Sequence, residues 1–234
     1  LHLLPIGVLQ DVIAPLLWEW LEDSSLHRFC GLEPSASWDD ALVSFTAKAR
    51  AWARARKLDL CIKPLTMKKL NLTFALDRWP ELEGRVKAGR RKVLMHFVAH
   101  AAVAIEQELP DNATGHAVFM ARQRTTMAWS VSTLLQLWAA GSKPYLSDNE
   151  VRESTFLGDL FLATFQRLAA YNVHANKLLY HFKPKIHMLG HLFEFAAQTK
   201  ENPESFSNWV DEDNMKWLAK IAASLKPKTA GQQL

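Results

Sequence analysis

Apolar side chains recur along most of this chain at intervals of three and four residues, the signature of helices with one buried face. Trp38, Leu42, Phe45, Ala49 and Trp52 form such a stripe and predict a helix over 38–57, opened by Ser37 as N-cap with Asp40 three residues on. Leu94, Phe97, Val98, Ala101 and Ile105 predict a second, ended near Leu109 by Pro110 and Asp111. Met127, Val131, Leu134, Leu135 and Trp138 predict a third, stopped by Gly141 and Pro144. The longest stripe runs through Leu157, Leu160, Phe161, Thr164, Phe165, Leu168, Tyr171, Ala175, Leu178 and Leu179, and Pro184 is its expected end. Further helices are expected at 6–22, where Pro15 forces a kink or a break, at 185–198, and at 211–225 with Met215, Leu218, Ile221, Ala222 and Leu225 inside. Ser24–Ser37 reads as a connector. Leu70, Leu72, Phe74 and Leu76 alternate as a strand would, with a short helix capped by Thr66 as the alternative. The expectation is an all-α, irregular bundle of six to nine helices. It forms a single domain over 1–234, or an N-terminal segment 1–80 packed on a bundle 81–234.

Composition narrows the functions open to such a bundle. Nine glycines in 234 residues leave no glycine-rich phosphate loop or dinucleotide fingerprint. Cys30 and Cys61 are the only cysteines, which excludes a disulfide scaffold and suits a reducing, intracellular compartment. No Gly-x-Ser-x-Gly elbow is present, and Cys30 has only His27 nearby in sequence. No segment reads as a membrane span: Val93–Ile105 is too short and Thr125–Ser142 too polar. The chain begins at Leu1 and reads as a fragment.

The net charge of +4 is small, but its distribution is uneven. Between Ala41 and Leu58 stand Lys48, Arg50, Arg54, Arg56 and Lys57 with no acid among them. Between Arg85 and Lys92 stand Arg85, Lys87, Arg90, Arg91 and Lys92, again without an acid. On a helix, Arg50, Arg54 and Lys57 share a side away from the tryptophan stripe. The second run opens a helix, where cations oppose the macrodipole, so local helix stability does not account for it. Rows of cations can neutralise phosphates and release counterions, which makes DNA a candidate partner.

Histidines supply the other candidate chemistry. His187 and His191, four residues apart, would share a helix face and can hold one metal ion. With His181 they would make a three-histidine set for a metal-dependent hydrolase. The acidic triplet Asp211-Glu212-Asp213 opens the last expected helix, where the dipole stabilises negative charge.

Three blocks together resemble large mobile-element-derived reading frames of the DDE transposase type. They are Leu1–Asp11, the Tyr180–His191 block with Pro184-Lys185-x-His187-x-x-x-His191, and Asn202-Pro203 followed by Trp209–Met215. Members of that class hold two metal ions with three carboxylates on an RNase H-like core, and some carry an all-helical insertion before the third carboxylate. The resemblance implies that this chain is mostly that insertion, with Glu212 as the third carboxylate and the other two upstream of Leu1. The chain alone would not complete the chemistry. It would need no cofactor itself, and a divalent metal would bind only with the core present. Arg50, Arg54, Lys57, Arg85, Arg90, Arg91, Lys183 and Lys185 would meet DNA phosphates, in the nucleus. The alternative is a helical scaffold for a protein partner or self-association, which exposure of Trp18, Trp20, Trp79 and Trp209 would mark.

Overall fold

The computed structural model describes residues 7–83, 86–140 and 144–206. It is all-α, with seven α-helices and no strand among the described residues. The helices are α1 (Leu9–Glu22), α2 (Ser25–Cys30), α3 (Trp38–Ala55), α4 (Ala88–Gln107), α5 (Gly115–Ala139), α6 (Asp148–His174) and α7 (Pro184–Thr199). The expected helix at 211–225 lies outside the described residues.

Helix α1 occupies the centre. Every residue from Leu9 to Leu21 is buried, including Gln10, Asp11 and Glu19. A helix apolar on nearly all sides must be enclosed on nearly all sides. Pro15 sits inside α1 without breaking it. The hydrogen bond that Pro15 denies the Asp11 carbonyl is outweighed by the burial of its neighbours Ile13, Leu16 and Leu17, each worth about 1.5–3 kcal/mol.

The other helices close around α1. Ser37 caps α3 as its sequence predicts, accepting from the Asp40 amide at 3.1 Å. Phe45 of α3 meets Phe97 of α4 with ring centroids 5.0 Å apart, and Trp52 meets Phe97 at 5.8 Å. Helices α4 and α5 are joined by His96 Nδ1 and Ser132 Oγ, 2.8 Å apart. Burial, with Lys92 adding to it, pulls the His96 pKa down to about 4, so this imidazole is neutral in the core. Trp138 of α5 donates to Ser154 Oγ of α6 at 2.9 Å. Asn202 then ties the chain after α7 back to α5, its amide donating to the Trp138 carbonyl at 2.9 Å.

Phe193 of α7 packs directly onto the backbone of α6 at Gly158. A Cβ built there would lie 2.6 Å from the Phe193 ring, so only glycine lets the two helices meet. Gly158→Ala should lose about 1–3 kcal/mol of stability in urea unfolding, although alanine is the better helix former. A gain in stability would show that the α6–α7 contact gives way freely.

Three expectations are corrected. Residues 24–37 are not all connector, because Ser25–Cys30 forms α2, closed by Gly31 at φ +72°. The alternation at 70–76 does not make a strand. Lys68–Leu70 forms a 3-10 turn instead, with Thr66 Oγ1 accepting from the Lys69 amide at 3.3 Å. The long stripe ends at His174, ten residues before Pro184. There Asn176 adopts φ +55°, its amide bonds the Val173 carbonyl at 3.0 Å, and the Lys177 amide bonds the Asn172 carbonyl at 2.8 Å. That pattern of paired bonds is a Schellman closure, which satisfies the last carbonyls and turns the chain.

Candidate nucleic-acid interface

Of the two acid-free basic runs, the second supplies Arg90 to a cleft, and the first reaches that cleft's wall only through Arg50, which donates to the Ile62 carbonyl. The connector that follows α3, the segment around Glu83 and Val86, and the first turn of α4 enclose this cleft of about 560 Å³. Its lining carries four cations, Lys63, Lys68, Lys69 and Arg90, against one carboxylate, Glu83. Lys63 and Lys68 are exposed, while Lys69 is partly buried and donates to the Pro64 carbonyl at 2.5 Å. Arg90 lies 3.6 Å from Asp59, an exposed carboxylate just past α3, and so ties α4 to the connector. Sequence reasoning missed Lys63, Lys68 and Lys69. They stand outside both basic runs, and only the folding of the connector against α4 brings them to the cleft. Their spacing in a lysine-rich connector is the one signal that pointed to them.

The predicted phosphate ligands divide sharply. Arg54 is exposed one turn beyond Arg50. Lys57 is exposed at φ +56°, where its amide bonds the Arg54 carbonyl at 3.1 Å and closes α3. Lys185 is also exposed, with its methylene chain against Gly7. Arg85 lies outside the described residues. Three others serve the fold. Arg50 is committed to the Ile62 carbonyl, to which its Nε donates at 3.1 Å and its Nη2 also donates. Arg91, 1% exposed, donates to Gln10 Oε1 at 3.0 Å and the Glu83 carbonyl at 3.2 Å. Lys183 is held by Asp11 at 2.7 Å and Glu81 at 2.9 Å. Sequence alone cannot sort these, since their partners are up to 172 positions away.

Those partners form a polar cluster at the start of α1. Asp11 is 1% exposed, and its Oδ2 has no hydrogen-bond partner. Burial raises its pKa from 3.8 to about 6, against the opposing pull of Lys183. Lys183 is pushed above its usual range: burial works against the charged form, but bonds to Asp11 and Glu81 outweigh it. Gln10 Nε2 donates to Glu81 Oε1 at 2.5 Å. This cluster joins the Leu1–Asp11 block to the Tyr180–His191 block.

A second buried network grips the other end of α1. Glu19, 3% exposed, accepts from Tyr180 Oη at 2.5 Å and Arg124 Nε at 2.8 Å through Oε2, and from Asn172 at 3.2 Å through Oε1. Arg124 also reaches Asp23 at 3.0 Å.

The histidines do not gather as a set of three. His181 stacks on Trp79, with centroids 4.4 Å apart and planes 10° from parallel, while His187 and His191 face each other on α7. Among the described residues no group of three or more His, Cys, Asp or Glu side chains converges on one point. Glu212 lies outside the described residues. Of the tryptophans that would mark a protein scaffold, Trp18 and Trp20 are core residues at 3% and 1% exposure, and Trp79 is half-buried with His181 stacked on it. Trp209 lies outside the described residues. No described helix is long and apolar enough to cross a membrane. No family model, curated protein or solved structure matches the chain.

Proposed function

We propose that this chain is the helical, nucleic-acid-associated part of a transposase-like protein and that it holds phosphates on the cleft between the connector after α3 and the first turn of α4. The gathering of four cations around a single carboxylate on one cleft carries this reading. Lys63, Lys68, Lys69 and Arg90 line one concavity, and Arg54 and Lys57 are exposed at the end of α3, ahead of the connector. A cleft of about 560 Å³ is wide enough for a phosphate and its sugar. The cluster that unites Asp11 with Lys183 supports the transposase-like part of the reading, because two blocks of the resemblance fold as one unit. Chemistry would need the carboxylates of a separate core, with Glu212 supplied from this chain.

The test is a salt titration of duplex DNA binding. Observed affinity should fall linearly on a log–log plot against salt, by roughly 0.9 per phosphate neutralised. Lys63→Ala and Lys68→Ala should each reduce that slope by about 0.9 for duplex DNA, without dependence on base sequence. Lys48→Ala, on an exposed cation that reaches back to the Phe29 carbonyl, should leave the slope unchanged. Affinity that is flat between low and moderate salt, or equal loss from all three variants, would remove the cleft as the binding face.

A further inference from the structure

We infer that α7 carries a two-point chelate for a transition-metal dication, formed by His187 and His191 and oriented by Glu194. Ile186, Leu189, Phe193 and Ala196 form the buried side of α7, so the two histidines, one turn apart, face outward. Their Nε2 atoms lie 3.0 Å apart, with the rings 78° from parallel. On its other nitrogen, His191 Nδ1 meets Glu194 Oε2 at 3.1 Å. An ionised carboxylate can only accept, so His191 Nδ1–H donates to Glu194 and the His191 Nε2 lone pair accepts from His187 Nε2–H, the proton that a bound metal ion would displace. A carboxylate behind a histidine in this way fixes both tautomer and ring direction, the outer support that metal-binding histidines use. In sequence, Glu194 falls off the register of a third ligand. The structure gives it this different position.

The spacing selects the ion. Two nitrogens 3.0 Å apart, each about 2.0–2.1 Å from a metal, subtend close to a right angle. That angle matches two neighbouring corners of a tetragonal Cu²⁺ or octahedral Ni²⁺ site. Zn²⁺ needs the nitrogens a few tenths of an ångström further apart to reach a tetrahedral angle. Imidazole donors disfavour Ca²⁺ and Mg²⁺, which take oxygen. Both histidines are exposed, so solvent can complete the coordination. The site is separate from the basic cleft and does not depend on the phosphate reading.

Titration of the whole chain with Cu²⁺ and Zn²⁺, in competition with a chromophoric chelator, tests the site. One ion should bind per chain, Cu²⁺ more tightly than Zn²⁺. His187→Ala and His191→Ala should each weaken binding at least tenfold, with circular dichroism unchanged because alanine suits an exposed helical position. Glu194→Gln should weaken it by about tenfold. Wild-type affinity in either histidine variant would overturn the chelate, and wild-type affinity in Glu194→Gln would overturn the role of the carboxylate. Competition by Mg²⁺ at equal concentration would also overturn it.

Discussion

Replacing Glu19 with alanine should cost about 3–5 kcal/mol in chemical unfolding, the scale for breaking a buried ion pair from one side. The carboxylate serves three partners from three parts of the chain: Arg124 on α5, Asn172 on α6 and Tyr180 beyond it. Without it, the Arg124 guanidinium keeps only Asp23, whose side chain is 44% exposed. The Tyr180 hydroxyl, wholly enclosed, loses its acceptor. Burial first, and the nearby Glu19 charge second, already hold its pKa well above the usual tyrosine value. Asp23→Ala should cost far less, since that pair faces solvent. A double-mutant cycle with Arg124→Met separates the two terms. If the double variant is as stable as the wild type, the network serves specificity rather than stability.

The Asp11–Lys183 pair should show the opposite response to charge removal. Asp11 has a folded pKa of about 6 against 3.8, so the folded chain binds this proton more tightly than the unfolded chain does. Stability from this group is therefore full below about pH 4 and is lost as pH rises through about 6. The shift corresponds to about 3 kcal/mol at an almost wholly buried position. Asp11→Asn should match wild type near pH 4 and exceed its unfolding free energy at pH 7, with Lys183 still held by Glu81. Lys183→Met should act in reverse. It strands the buried carboxylate and costs about 3–5 kcal/mol at pH 7, with much of the loss recovered at pH 4 once Asp11 is neutral. Unfolding midpoints of the three proteins at the two pH values decide this. Parallel pH profiles for wild type and Asp11→Asn would mean that Asp11 does not titrate as its burial demands.

Much of the helical framework was legible from the spacing of apolar residues, because α3, α4 and α6 each bury one continuous face. What escaped was decided by single residues or by distant ones. Six residues of α2 are too few to show a period. Pro15 stays helical because α1 is gripped on all sides, a tertiary effect that local preference does not register. The end of α6 depends on Asn176 entering the left-handed region, where asparagine is tolerated but not required. The candidate site was half legible. The second run of cations supplied Arg90, yet Arg50, Arg91 and Lys183 proved to be structural once Ile62, Gln10 and Asp11 came into reach. Lys63, Lys68 and Lys69 gained their place from the connector's path.

The central position of α1 also sets an order of events during synthesis. Among the described helices α1 leaves the ribosome first, yet its buried polar residues are completed by Arg91, Arg124, Asn172, Tyr180 and Lys183. At roughly 5–20 residues per second, Glu19 and Asp11 wait roughly 10–30 s for their last partners. Through that interval α1, the most apolar of the described helices, is only partly enclosed by the helices already made. A nascent chain stopped anywhere short of Lys183 is thus a natural client for chaperones that bind exposed apolar helices.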